Sequence, residues 1–309
     1  MAADTQTLEA PRGAWLKPNT VGGTLIVATA LCLICSLLVS GAAVLLRPRI
    51  DDNKVLKKQR NVLIAAGLFD PEKHTDADIP RLFENVEIVL VNLRGRTDSG
   101  GLLSEDDEAG RLNGEINAGT YDPRKAAKDP QQSVPIPAEA DPAGIKRRER
   151  VAAAYIVKAE DGSVTQIVLP IYGKGLWSTL YGFLALRADA GAGFPVQGIT
   201  FYEHGETPGL GGEVDNPRWK SQWPGKLLLN DAGIPILQVT KPDRAAADNE
   251  IDGISGASIT SHGVEHLVNY WLGEDGFGPF LERLRRGEID LAAIRPQRER
   301  STLFAGRFR

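Results

Sequence analysis

Asp252-Gly-Ile-Ser-Gly-Ala-Ser-Ile-Thr-Ser261 runs without interruption into His262-Gly-Val-Glu-His-Leu-Val-Asn-Tyr-Trp-Leu272, and the join between the two decides how the chain is read. In the second piece Val264, Leu267, Val268, Trp271 and Leu272 fall on one face, which predicts a helix over about 261–272. An apolar helix face has to be buried, and strand-like segments upstream supply a surface for it. Val151, Ala153, Tyr155 and Val157 alternate, and further strands are expected at 86–93, 164–169, 195–202 and 234–240. A turn at Tyr172-Gly-Lys-Gly leads into 176–186. Strands mixed with few helices, without strict alternation, give an α+β domain.

The first piece is a chemical signal. Small residues and several hydroxyls at a helix start present free N–H groups and a favourable dipole to an anion. One Ser or Thr would suffice for an ordinary N-cap. Here four hydroxyls (Ser255, Ser258, Thr260, Ser261) and two glycines (Gly253, Gly256) crowd the join, so a capping loop and a phosphate site both remain open. Two other stretches are suited to a flat ligand. His204-Gly-Glu-Thr-Pro-Gly-Leu-Gly-Gly212 lets backbone approach closely, and Gly173-Lys-Gly-Leu-Trp-Ser-Thr-Leu-Tyr-Gly182 offers aromatic surface. A simple reverse turn is the ordinary alternative for 204–212.

The composition narrows the classes. The chain has 309 residues, 42% of them hydrophobic and 25% charged, with a net charge of −4, which argues against nucleic acid as the main partner. Four histidines and two cysteines exclude a metal-rich protein or a disulfide framework. Within the helix, His262-Gly-Val-Glu-His266 fits the H-x-x-E-H pattern of a zinc peptidase, with Glu265 as base. Gly263 weakens the first turn, and only Glu282 or Glu288 could supply the third ligand.

Both cysteines, Cys32 and Cys35, lie in an uncharged run of 26 residues, 21–46. About 20 apolar residues cross a bilayer as a helix. The run exceeds the usual signal-peptide core and meets Arg47-Pro48-Arg49 rather than a cleavage site, so it reads as an uncleaved anchor behind an N-terminal cytoplasmic segment, 1–20. A charged helix follows and ends near Gly67, with Val55, Leu56, Leu63 and Ile64 at helical spacing. Two basic residues precede the span and six follow it, a bias that would keep the large domain in the cytoplasm. The stretch 95–148 is polar and aperiodic, expected as a long surface excursion or a partly disordered insertion within an N-terminal part covering 47–150. The eight arginines of the last 27 residues give an arginine-rich tail, 291–309.

Five motifs in order carry a resemblance: YDPRKAAKDP (121–130), GKGLWSTLYGF (173–183), ITFYEHGETPGLGGE with NPRWKSQW (199–223), DGISGASITSHGV (252–264) and YWLGEDGFGPFLERLR (270–285). With one N-terminal anchor they resemble the NqrC family, the flavin-carrying component of the sodium-translocating NADH:quinone oxidoreductases, over roughly residues 15–290. The resemblance implies an FMN-binding domain at 151–290 and a covalent FMN, esterified through its phosphate by a flavin transferase. The family acceptor is the last residue of an (S/T)-G-A-T motif; Ser255-Gly256-Ala257 match, and Ser258 stands where threonine is usual. Ser258 is therefore the implied acceptor and Thr260 the alternative, with Asp252 opening the transferase signature.

By the same resemblance Glu206, Thr207, Leu210 and Gly211 would line the flavin, with Leu176, Trp177 and Ser178 opposite. His262 and His266 would be ordinary helix residues. The family's FMN domain is periplasmic, on the bacterial inner membrane, which outweighs the charge bias. The implied role is an electron relay from an iron–sulfur centre to the flavin of the B component, inside a complex with the A, B, D, E and F components that exports sodium. The related G component of the ferredoxin:NAD complex shares the flavin motif but is not expected to carry YDPRKAAKDP or GFGPF.

Overall fold

The computed structural model describes residues 21–93, 121–188, 193–289 and 291. The first helix, α1, spans Val21–Ala65. The sequence divides anchor from charged helix at Arg47-Pro48-Arg49, whereas the structure makes them one element with Pro48 inside it. Its apolar part is long and apolar enough to cross a membrane. The helix closes as expected at Gly67, where Gly67 N–H bonds Ile64 O at 3.0 Å and Leu68 N–H bonds Leu63 O at 2.8 Å. The chain separates between Val55 and Leu56 into two compact units, and the fold and site described below belong to the second.

That unit is built on one antiparallel sheet. Strands β1 (Val86–Asn92), β4 (Val151–Lys158), β5 (Val164–Lys174), β6 (Thr179–Arg187) and β7 (Val196–Glu203) lie side by side in that order. Side chains alternate between its faces, and both faces are covered. On one face Ala152, Ala154, Ile156, Ile167, Leu169 and Leu184 pack in a core with Val264, Leu267, Val268 and Trp271 of α5 (Ser258–Leu272). On the other, Tyr155, Val157, Val168 and Phe183 meet Val62, Leu63 and Phe69. The alternating pattern read at 151–157 is thus two buried sets, one per face. This is the α+β architecture expected.

Three boundaries differ from the sequence reading. Helix α5 begins at Ser258, three residues before 261, because Ala257 already accepts the first helical bond, from Ser261 N–H at 2.9 Å. Strand β5 continues to Lys174 and absorbs the turn expected at Tyr172. Of 234–240 only β8 (Gln238–Thr240) is strand, and it pairs in parallel with β9 (Glu250–Asp252), which lies just before the hydroxyl cluster.

The polar stretch 95–148 divides. Its first part lies outside the described residues, but 121–148 is folded: α3 (Pro123–Ala126), β2 (Ser133–Pro135) and β3 (Arg147–Glu149) occupy it. Asp122 caps α3 by accepting from Arg124 N–H at 3.1 Å, and the Tyr121 hydroxyl donates to Val151 O at 2.6 Å. Charged residues that show no periodicity here are spent on caps and clasps. Short helices α2 (Ile79–Leu82), α4 (Pro217–Lys220) and α6 (Gly278–Arg285) complete the described α-helices. Residues 1–20 and the arginines beyond 291 lie outside the described residues.

Candidate functional site

Three of the stretches picked out in sequence converge on one side chain. Glu206 is 6% exposed, and its carboxylate accepts from Leu176 N–H (3.2 Å), Trp177 N–H (3.0 Å), Ser178 N–H (3.0 Å), Ser178 Oγ (3.1 Å) and Thr260 Oγ1 (2.7 Å). One carboxylate therefore ties the 173–182 segment to the 204–212 loop and both to the first turn of α5. Burial pushes its pKa up, but the hydrogen bonds from Thr260, Trp177 and Ser178 outweigh this and hold it below the ordinary glutamate value. The loop between is compact: Thr207 O accepts from Leu210 N–H at 3.1 Å and Gly212 N–H at 3.0 Å.

Glycines allow this approach. A Cβ on Gly211 would stand 2.7 Å from Thr260 Oγ1 and 2.8 Å from Glu206 Oε2. One on Gly263 would meet Lys174 O at 2.5 Å, so α5 lies backbone to backbone on the end of β5. Gly256 turns the chain into the helix at φ 74°, a left-handed conformation that suits glycine, beside the Leu210 side chain.

The hydroxyls separate by environment. Ser258 is exposed at the first position of α5, as is Ser255 in the turn before it. Thr260 is 1% exposed with its hydroxyl committed to Glu206. Ser261 is buried and accepts from Ile254 N–H at 2.9 Å. Ala257, the N-cap, has no side chain to cap with. Among the described residues nothing accepts from the N–H groups of Ser258, Ile259 and Thr260. The helix start thus keeps its donors and its positive dipole end for an anion. Around it Trp177 (68% exposed), Ile259 (61%), Leu176 and Leu210 show apolar surface. An anion seat ringed by exposed apolar side chains fits a phosphate-bearing, planar ligand.

Other sequence candidates play structural parts here. The Asp252 carboxylate accepts from Arg244 N–H (2.7 Å) and Ala245 N–H (2.8 Å), so it organises the loop before β9, while its carbonyl accepts from Trp219 Nε1 at 2.8 Å. Gly253 N–H bonds Thr240 O at 2.9 Å. In the H-x-x-E-H stretch, His262 and His266 are exposed, and Glu265 accepts from Val239 N–H at 2.8 Å, fastening β8 to α5. The described residues hold no group of three His, Cys, Asp or Glu side chains able to bind a metal ion.

Two arrangements near the site escape a reading of the sequence. His204 Nε2 lies 2.9 Å from Asp215 Oδ2, and its Nδ1 accepts from Glu206 N–H at 3.3 Å. Arg124, from the stretch expected as an excursion, makes a two-pronged bond to Glu203, at 2.7 Å on each prong. Nothing local in the sequence links residues 79 positions apart; the place of Arg124 within YDPRKAAKDP is the only hint.

The chain is similar to known proteins. The FMN-binding domain family matches residues 175–273. The C component of the Na(+)-translocating NADH-quinone reductase of Yersinia pestis is 42% identical over 272 residues, covering 88% of this chain and 96% of that protein. Its counterpart in Pseudomonas aeruginosa is 46% identical over 270 residues, covering 86% and 96%. The crystal structure of Shewanella oneidensis NqrC superposes with a TM-score of 0.62 at 33% identity, covering 74% of this chain and 97% of that one.

Proposed function

The chain belongs to the NqrC family of the Na(+)-translocating NADH-quinone reductases, and from that premise we propose that it holds FMN covalently, through a phosphoester on Ser258, and relays electrons towards the flavin of the B component. The observation that carries this reading is the difference between the two hydroxyls: Ser258 is exposed at an uncapped helix start, whereas Thr260 is buried under Glu206. Serine has the same nucleophilic oxygen as the family's usual threonine, so the departure at 258 keeps the chemistry.

FMN, when bound, supplies reversible one- and two-electron redox chemistry; the protein supplies place and electrostatics. The free N–H groups of 258–260 and the helix dipole stabilise phosphate charge. Trp177, Leu176 and Leu210 give apolar walls that keep water from a ring system. Glu206 acts behind those walls and keeps them in register with the ester, along with Ser178, Thr207 and Gly211. Ser255, Gly256 and Ala257 form the turn a flavin transferase would recognise, with Asp252 and Gly253 shaping its approach.

On this reading the large domain faces the periplasm of a bacterial inner membrane, and covalent attachment prevents loss of the flavin there. Electrons arrive from an iron–sulfur centre of the membrane components. The chain works with the A, B, D, E and F components of the complex. The apolar run of α1 contains no charged residue from Val21 to Leu46, so the sodium path belongs to partners.

The test is mass spectrometry of the tryptic peptide Ala245–Arg283 from chain co-expressed with a flavin transferase. FMN on Ser258 is expected, and none on Thr260 in a Ser258→Ala chain. A bare peptide from the unsubstituted chain, with active transferase present, would end the reading.

A further inference from the structure

YDPRKAAKDP has no role in the proposed function, yet it places one of the best-formed charged contacts in the domain. The Arg124 guanidinium binds both oxygens of Glu203, with Nη1–Oε2 and Nη2–Oε1 at 2.7 Å, and lies 3.7 Å from the ring centroid of Tyr181. Glu203 is the last residue of β7, one position before the loop that carries Glu206. Tyr181 lies directly opposite Glu203 on β6, three positions after Ser178. The two strand ends that Arg124 touches are therefore the two from which the proposed flavin walls, 176–178 and 204–212, emerge. The β6–β7 pairing is also irregular there, with a register shift between Tyr181 and Gly182.

Arg124 is itself fixed from behind. Asp122 caps α3 through Arg124 N–H and Lys125 N–H, and Tyr121 is tied to Val151 of β4. Tyr181 is fixed too, stacked on Tyr172 at 5.6 Å with an interplanar angle of 27°. An isolated exposed ion pair contributes little. A two-pronged guanidinium–carboxylate bond that also covers an aromatic ring, with both partners anchored, is the geometry in which such a pair fixes position.

We infer that Arg124 is a positioning residue of the flavin site, stapling the ends of β6 and β7 so that the two wall loops hold their spacing across Glu206. The inference rests on the flavin reading above. Arg124 itself touches neither Glu206 nor Ser258 and acts through Glu203 and Tyr181.

The test uses the full chain, flavinylated, as wild type and as Arg124→Ala, Arg124→Lys, Glu203→Ala and the Arg124→Ala/Glu203→Ala double variant. Amide hydrogen exchange is read by peptide, together with the visible circular dichroism of the flavin. In Arg124→Ala, exchange over 176–181 and 204–212 should rise about tenfold, with β4 and α5 unchanged, and the flavin dichroism should fall. Arg124→Lys should restore neither, because a lysine forms no two-pronged bond. The double variant should be no worse than either single one.

Unchanged exchange in both loops, an equal rise across the whole sheet, or full rescue by lysine would each overturn the inference. Failure of the flavin reading shows separately, as a bare Ala245–Arg283 peptide in the wild type, and leaves the exchange comparison readable. If Arg124→Ala fails to fold, Glu203→Ala probes the same staple from the other side with the same two outcomes.

Discussion

Glu206 and Glu149 are both buried carboxylates, and they end in opposite electrostatic states. Glu206 collects five donors and its pKa is held down. Glu149, 1% exposed on β3, takes one side-chain bond, from the Tyr172 hydroxyl at 2.6 Å, and burial pushes it up to about 7. Burial is common to both; the number of donors aimed at the oxygens decides the outcome. The first carboxylate offsets its desolvation with hydrogen bonds that also assemble the site. The second remains a titratable group inside the fold, next to the Trp271–Tyr172 contact at 4.8 Å that seats α5 on the sheet.

The largest effect should come from emptying the first site. Glu206→Ala leaves the N–H groups of 176–178 and the Thr260 hydroxyl without their acceptor, and a loss of about 4 kcal/mol of stability is expected, from several orphaned donors at about 1–3 kcal/mol each. Urea unfolding monitored by tryptophan fluorescence measures it. A loss below about 1 kcal/mol would mean that water or a neighbour replaces the carboxylate, and the contrast with Glu149 would collapse.

The second effect is pH-dependent and comes from Glu149. Its pKa is raised on folding from about 4.5 to about 7, so the folded state binds the extra proton between those values. Stability from this group is therefore intact below about pH 4.5 and falls as pH rises towards 7, by about 3 kcal/mol at about 1.4 kcal/mol per pH unit. Glu206, with its pKa lowered, has the opposite sign and is stabilising above its unfolded pKa. A Glu149→Gln chain should lose the Glu149 slope and be the more stable protein at about pH 8. Parallel pH–stability curves for the two proteins would contradict this. The smallest effect is Tyr172→Phe, which removes the donor to Glu149. About 1 kcal/mol is expected at about pH 5, along with a further rise in the Glu149 titration, readable by infrared absorption of its carboxyl group.

The parts of this architecture that are local in sequence are readable from it. The apolar face of α5 and the alternation at 151–157 predict packing partners that the structure joins, and the hydroxyl cluster falls at a helix start as expected. The three-residue difference at that start arises because hydroxyl-rich residues favour caps in general, whereas here Ala257 is the cap and Ser258 is already helical. Asp252 is picked out by the motif alone, and the structure adds that its carboxylate holds the 244–245 loop. What escapes the sequence is non-local. The Arg124–Glu203 and Tyr172–Glu149 pairs join residues 79 and 23 positions apart, and no periodicity marks either partner. The folded part of the polar stretch, 121–148, is hidden within what reads as an excursion or partly disordered insertion, because its order comes from caps and hydrogen bonds rather than from an apolar stripe.

A serine in the opening turn of α5 keeps its backbone inside a finished helix while its oxygen stands outside the core. A group esterified there adds mass to the exterior and displaces no packed atom. If FMN is attached there as proposed, maturation is an event of assembly rather than of folding. On that proposal the chain completes its core first and meets the transferase afterwards, so the order of the two steps is set by encounter rather than by the folding route.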